Sequence, residues 1–211
     1  IPTDYADYAP EENFEKDAVA ISFTLEEEET KLLLTKVNGA FGTEINDILL
    51  TALGLGLKKT FGQDRVLVAI EGHGREGILD DMDISRTVGW FTSTFPVLLD
   101  MSYAADRGRQ VKEVKESLRQ VPNKGIGYGI LKYLAPEAHQ KELGFRLQPQ
   151  LSFNYLGQFD TDISQITSFK IAEESAGPTR GLNNRRDYLI DVIGMTRNNR
   201  LTVNVFYNKK H

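Results

Sequence analysis

The sequence predicts an α+β fold, a mixed sheet with flanking helices. Three features point to it. Strand-like and helix-like apolar patterns are interleaved along the chain. Two alternating runs near residue 200 flank a hairpin turn, and neither internal repeats nor low-complexity tracts occur. The 211 residues are enough to bury a sizeable core, and 40% hydrophobic with 26% charged residues is ordinary globular composition.

The elements follow in order. Residues 1–17 carry Pro2, Pro10, acids and tyrosines without an apolar period, and read as a linker or extended arm ahead of a domain spanning 18–211. Val19–Leu25 alternates apolar and small polar residues, as a strand does. Thr24 and Glu27 have capping-box spacing, so a helix is expected from Glu26–Glu29 to about Val37. The four consecutive acids suit its first turn better than a cation site, because the helix dipole favours them there. A second helix is expected from Thr43, with Ile45, Ile48, Leu49, Ala52 and Leu53 on its buried face. Lys58 and Lys59 fit its last turn and Gly62 its stop, while Gly54 and Gly56 lack the strand that a dinucleotide fingerprint needs.

Arg65–Glu71 reads as a buried strand ending in an acid, and Val88–Leu99, with Trp90, Phe91, Phe95 and Val97, as another. A third helix is expected over Tyr103–Val121 with Val111, Val114 and Leu118 as its stripe. The run Gly125-Ile126-Gly127-Tyr128-Gly129 lacks the lysine and hydroxyl of a P-loop and reads as a tight turn into a helix reaching Leu134. Leu151–Phe159 reads as a strand, and Tyr188–Met195 and Leu201–Tyr207 form the hairpin around Arg197–Arg200.

Composition excludes several chemistries. Cysteine is absent, which removes disulfides, thiolate zinc sites and a thiol nucleophile. Three isolated histidines, His73, His139 and His211, make a protein-built metal centre unexpected, so no metal is assigned. The net charge of −5 argues against nucleic acid as a partner, and no apolar run is long enough to span a membrane. No signal-peptide pattern is visible, so a cytoplasmic protein is expected.

The segment Glu71-Gly72-His73-Gly74-Arg75-Glu76 stands out, because four ionisable side chains follow directly on an apolar strand. Were the strand to continue, Glu71, His73 and Arg75 would share one face and the glycines would leave the other bare. Ionisable groups at the edge of an apolar wall are open to tuning for acid–base work. The plainer alternative is an ion-paired Arg75 and a core His73.

This segment, followed by Thr87-Val88-Gly89-Trp90-Phe91-Thr92-Ser93, closely resembles the epimerization domains of nonribosomal peptide synthetases. Gly125–Leu134 and Phe153–Asp160 are similar to two further motifs of that family, in the expected order. The resemblance implies a chloramphenicol-acetyltransferase-like lobe, the second half of a two-lobed condensation/epimerization domain. It implies inversion, L to D, of the α-carbon of an aminoacyl or peptidyl thioester held on the 4'-phosphopantetheine of a peptidyl carrier protein, with no cofactor bound by this chain. Glu71 is then the acid/base, with Tyr155 and Asn154 as further catalytic residues. His73, Arg75, Trp90, Phe91, Thr92 and Ser93 become substrate-binding residues. For Tyr155 a core aromatic with a satisfied hydroxyl, and for Trp90 simple packing, are the alternatives. The first lobe's His-His-x-x-x-Asp-Gly motif does not occur here, so that lobe is expected as a partner and this piece alone is expected to be inactive. A peptide-bond-forming condensation domain, a carrier-docking module and a coenzyme A acyltransferase are the alternatives.

Overall fold

The computed structural model describes residues 12–78, 83–103, 106–158, 174 and 177–210. In chain order it runs β1 (Ala18–Thr24), α1 (Glu27–Leu32), a π turn at Leu33–Val37 and α2 (Asn38–Phe41). Then come α3 (Ile45–Phe61), β2 (Arg65–Gly72), β3 (Ser93–Asp100) and α4 (Arg107–Arg119). After a 3-10 turn at Pro122–Gly125 follow α5 (Ile126–Tyr133), α6 (Glu137–Leu143), β4 (Leu151–Gln158), β5 (Ile190–Arg197) and β6 (Arg200–Asn208). The chain forms two compact units, one built from residues up to Ile45 and from Asn154 onward, the other from Asn46–Phe153. Among the described residues no helix is long and apolar enough to cross a membrane.

In the first unit β6 lies between β1 and β5, antiparallel to both. The β5–β6 hairpin closes at Arg197↔Arg200, with Asn198 and Asn199 at φ 51 and 59. Two left-handed residues are what a two-residue hairpin turn demands, and asparagine tolerates them best after glycine. The capping box belongs to Glu26 and Glu29 rather than to Thr24 and Glu27. Thr24 is still strand, and its hydroxyl lies 2.9 Å from that of Thr202 on β6. Residues 12–17, read from sequence as the end of an arm, are tied down. Asn13 Nδ2 donates to the Tyr188 carbonyl at 2.8 Å, and Asp17 sits 3.0 Å from Lys209 Nζ, whose hydrogen bond holds the Asp17 carboxyl below the usual carboxylate range. Along β1, Val19, Ile21 and Phe23 stay exposed on one face.

The second unit has a mixed sheet. β2 pairs antiparallel with β3 and parallel with the first residues of β4, so that Ile70 faces Phe95 on one side and Phe153 on the other. Val68, Ile70, Phe95, Val97, Leu99, Leu151 and Phe153 are buried. The buried face of α3 is Asp47, Leu50, Thr51, Gly54 and Leu57, not the stripe expected from Ile45, Ile48, Leu49, Ala52 and Leu53. Two of those positions are polar: Asp47 pairs across to Arg119 of α4 at 3.0 Å, and Thr51 donates to the Asp47 carbonyl one turn back in the same helix. Gly54 is small because a Cβ there would meet Met101 Cε at 2.8 Å. α4 starts later than expected, at the N-cap Asp106, which accepts from the Gly108 and Arg109 amides. Val88–Thr92 is not strand: β3 begins at Ser93, and Val88 and Trp90 are 100% and 88% exposed.

The turn before α5 is tight, as its glycines suggest. Asn123, Lys124 and Gly125 are all left-handed, and a Cβ on Gly125 would lie 2.1 Å from Phe95 Cδ1. Gly125→Ala is therefore expected to lower stability by about 2–5 kcal/mol, from backbone strain plus overpacking. Gly54→Ala is expected to stay within about 1 kcal/mol of wild type, since alanine favours the helix and the flexible methionine end can yield. Urea midpoints of the two variants check the contrast.

Candidate functional site

β2 ends in Glu71 and Gly72, opposite Thr94 and Ser93 of β3. The strand does not continue through the ionisable cluster. Gly74 takes φ 64 and turns the chain, so Glu71, His73 and Arg75 do not share one strand face. The glycine is required twice over: besides its backbone angle, a Cβ at 74 would stand 1.6 Å from the Phe91 carbonyl oxygen. The bare glycine face thus admits a backbone, that of the Thr87–Ser93 segment. At Gly72 the near neighbour is a side chain instead, Ser93 Oγ at 3.1 Å from its would-be Cβ.

Arg75 completes the junction. Its guanidinium donates to the carbonyls of Ile84 at 2.6 Å and Gly89 at 3.3 Å, and stacks 4.3 Å from the centre of the Phe91 ring. Among the described residues its partners are main-chain carbonyls and a ring rather than the acid that the plainer sequence alternative gave it. His73 is not a core residue either, since its ring is largely exposed. Its Nδ1 accepts the Arg75 amide proton at 3.0 Å and its Nε2 lies 3.2 Å from Glu76 Oε1. An accepting Nδ1 fixes the tautomer whose Nε2–H donates to Glu76. Glu76, not singled out in the sequence as a site residue, also lies 3.6 Å from Lys124 Nζ. The His-x-x-Glu spacing is a local signal for the first contact; nothing in the sequence signals the second.

Three of the four motifs therefore meet in the second unit, with the Phe95 ring touching the positions of Gly72 and Gly125. Trp90 is too exposed to be the packing residue that a strand reading implied, while Phe91, Thr92 and Ser93 are partly buried. The fourth motif divides. Phe153 is buried beside Ile70 in the second unit, whereas Asn154 and Tyr155 belong to the first. The Tyr155 hydroxyl is 3.0 Å from Thr196 Oγ1, and its ring lies against Gly194. That hydroxyl is satisfied within its own unit. Phe159 and Asp160 lie outside the described residues.

The model of the Condensation domain family matches residues 1–211. The chain belongs to the condensation-domain family. Surfactin synthase subunit 1 of Bacillus subtilis (strain 168) is 50% identical over 193 residues, which are 92% of this chain and 5% of that protein. Gramicidin S synthase 1 of Brevibacillus brevis is 43% identical over 212 residues, 97% of this chain and 19% of that protein. This condensation-family chain thus spans a small part of the length of these relatives. Among solved structures, the epimerization domain from the third module of tyrocidine synthetase B matches with a TM-score of 0.89 at 41% identity, over 97% of this chain and 45% of that one. The first condensation domain of the CDA synthetase matches with a TM-score of 0.58 at 18% identity, a likeness of fold.

The Arg75 clamp gives a direct expectation. Arg75→Lys keeps the charge but loses the planar fork and the stack. Amide hydrogen exchange over residues 84–91 is expected to quicken roughly tenfold, as loss of hydrogen bonds from a charged group implies, while the β2–β3 core keeps its protection. Unchanged exchange in that segment would show that the clamp contributes nothing.

Proposed function

We propose that this chain is the acid/base-bearing lobe of an epimerization domain in a nonribosomal peptide synthetase. The observation that carries the reading is the contrast in likeness: 41% identity and a TM-score of 0.89 to an epimerization domain, against 18% and 0.58 to a condensation domain. The substrate is an aminoacyl or peptidyl thioester, delivered on the phosphopantetheine arm of a peptidyl carrier protein.

Glu71 is the acid/base. Its carboxylate takes the α-proton, and the electron pair of the broken C–H bond moves into the thioester carbonyl as an enolate. A proton delivered to the opposite face of the α-carbon completes the inversion, from a group outside this chain in the partner lobe. Support for Glu71 comes from its place at the end of an apolar strand, where β2 and β3 hold its backbone opposite Thr94. The exposed indole of Trp90, with Phe91, Thr92, Ser93, His73 and Arg75, supplies an apolar and hydrogen-bonding margin for the arm. Asn154 and Tyr155 keep the orienting role that the family resemblance implies, the Tyr155 phenol being itself held by Thr196.

The test uses the intact synthetase module that carries this sequence. Glu71→Gln is expected to slow solvent-deuterium entry at the substrate α-carbon by ~10²–10⁴-fold, with loading of the carrier unchanged. Chiral analysis of the released acid is expected to show the L form alone. Undiminished exchange in Glu71→Gln would remove it from the chemistry. A lengthened peptide without any α-deuterium, in mutant and wild type alike, would instead mark a condensation domain.

A further inference from the structure

We infer that Glu76 is a positioning residue, whose carboxylate ties the left-handed turn at Asn123–Gly125 to the end of β2 and so sets where Glu71 stands. The inference rests on the reading of Glu71 as the acid/base. It starts from strain. Asn123 and Lys124 hold φ 46 and 48; asparagine takes this region readily, whereas lysine stays in it only when its surroundings keep it there. Two contacts do so. The Phe95 ring fills the space beside Gly125, and Lys124 Nζ reaches Glu76 Oε2 at 3.6 Å.

The same turn touches the strand end. The Lys124 carbonyl lies 3.8 Å from the would-be Cβ of Gly72, the residue after Glu71. Glu76 also holds the residues just after that strand end, through its second oxygen. Oε1 receives His73 Nε2, and His73 Nδ1 accepts the Arg75 amide, which fixes the backbone from 73 to 76. An ion pair between exposed side chains contributes little by itself, but the Glu76 side chain is only 17% exposed and serves both partners at once. Removing its charge frees the turn and the strand exit together, and misplacement of a reacting group by about 1 Å is enough to slow a reaction ~100-fold.

The experiment uses the intact synthetase module, with the aminoacyl carrier protein supplied in trans so that kcat and KM for α-proton exchange are read separately. Glu76→Gln and Lys124→Met are each expected to lower kcat roughly tenfold, part of the ~100-fold span for such displacements, with KM within about twofold. Lys124→Arg, which keeps the charge, is expected to restore kcat. Melting temperatures are read beside them. Should Glu76→Gln fail to fold, Lys124→Met decides, because that side chain is mostly exposed. Wild-type kcat in Lys124→Met and in Glu76→Gln, alongside an inactive Glu71→Gln, overturns the positioning role. Wild-type exchange in Glu71→Gln overturns the acid–base reading instead, so the two failures are distinct.

Discussion

A Cβ at position 74 would stand 1.6 Å from the Phe91 carbonyl oxygen, so the end of β2 and the Thr87–Ser93 segment lie together only because residue 74 is glycine. That single close approach organises the candidate site. It turns the chain out of the strand after Gly72, which puts the Arg75 guanidinium within reach of two carbonyls and the Phe91 ring. It also brings His73 and Glu76 into one hydrogen-bonded loop, and Glu76 then reaches Lys124 in a turn about fifty residues further along the chain. Apolar packing adds to this, since the Phe95 ring meets the positions of both Gly72 and Gly125.

Chemistry of this kind needs an acid/base held to a fraction of an ångström, and rigid elements hold groups more tightly than loops do. Glu71 is on a strand paired on both sides within its unit, at the point where Ile70 still contacts Phe95 and Phe153 as ladder partners. Of the substrate-binding candidates, Trp90, Phe91 and Thr92 are instead on an irregular segment that Arg75 clamps, with the Trp90 indole exposed. On the proposed reading the division suits two tasks: proton transfer demands fixed geometry, whereas a flexible thioester arm is held by many small contacts.

How far the sequence alone disclosed this depends on whether each feature is local. The Asn198-Asn199 turn, the apolar β2 and the glycine-led start of α5 were legible because turn chemistry and strand pattern are written in neighbouring residues. The buried face of α3 departs from the apolar period because Asp47 and Gly54 are there for Arg119 and Met101, partners far along the chain. The capping box shifted by two residues because Thr24 is spent in the β1–β6 pairing, and aromatic residues at 90 and 91 suggested strand where the Gly74 contact imposes a loop. Helix α6, short and without an apolar stripe, left no period to read. At the site, Glu71, His73 and Arg75 stood out by their spacing, but the contacts of Arg75 and the hub at Glu76 are tertiary and had no signature.

The most direct measurement is α-proton exchange in the intact synthetase module carrying Gly74→Ala, a change of one methyl group on no reacting atom. If the close approach of residue 74 to Phe91 sets the position of Glu71, exchange falls by ~100-fold or more while carrier loading is unchanged. Wild-type exchange in that variant would contradict the account, because the Phe91 segment could then move away without consequence for the chemistry.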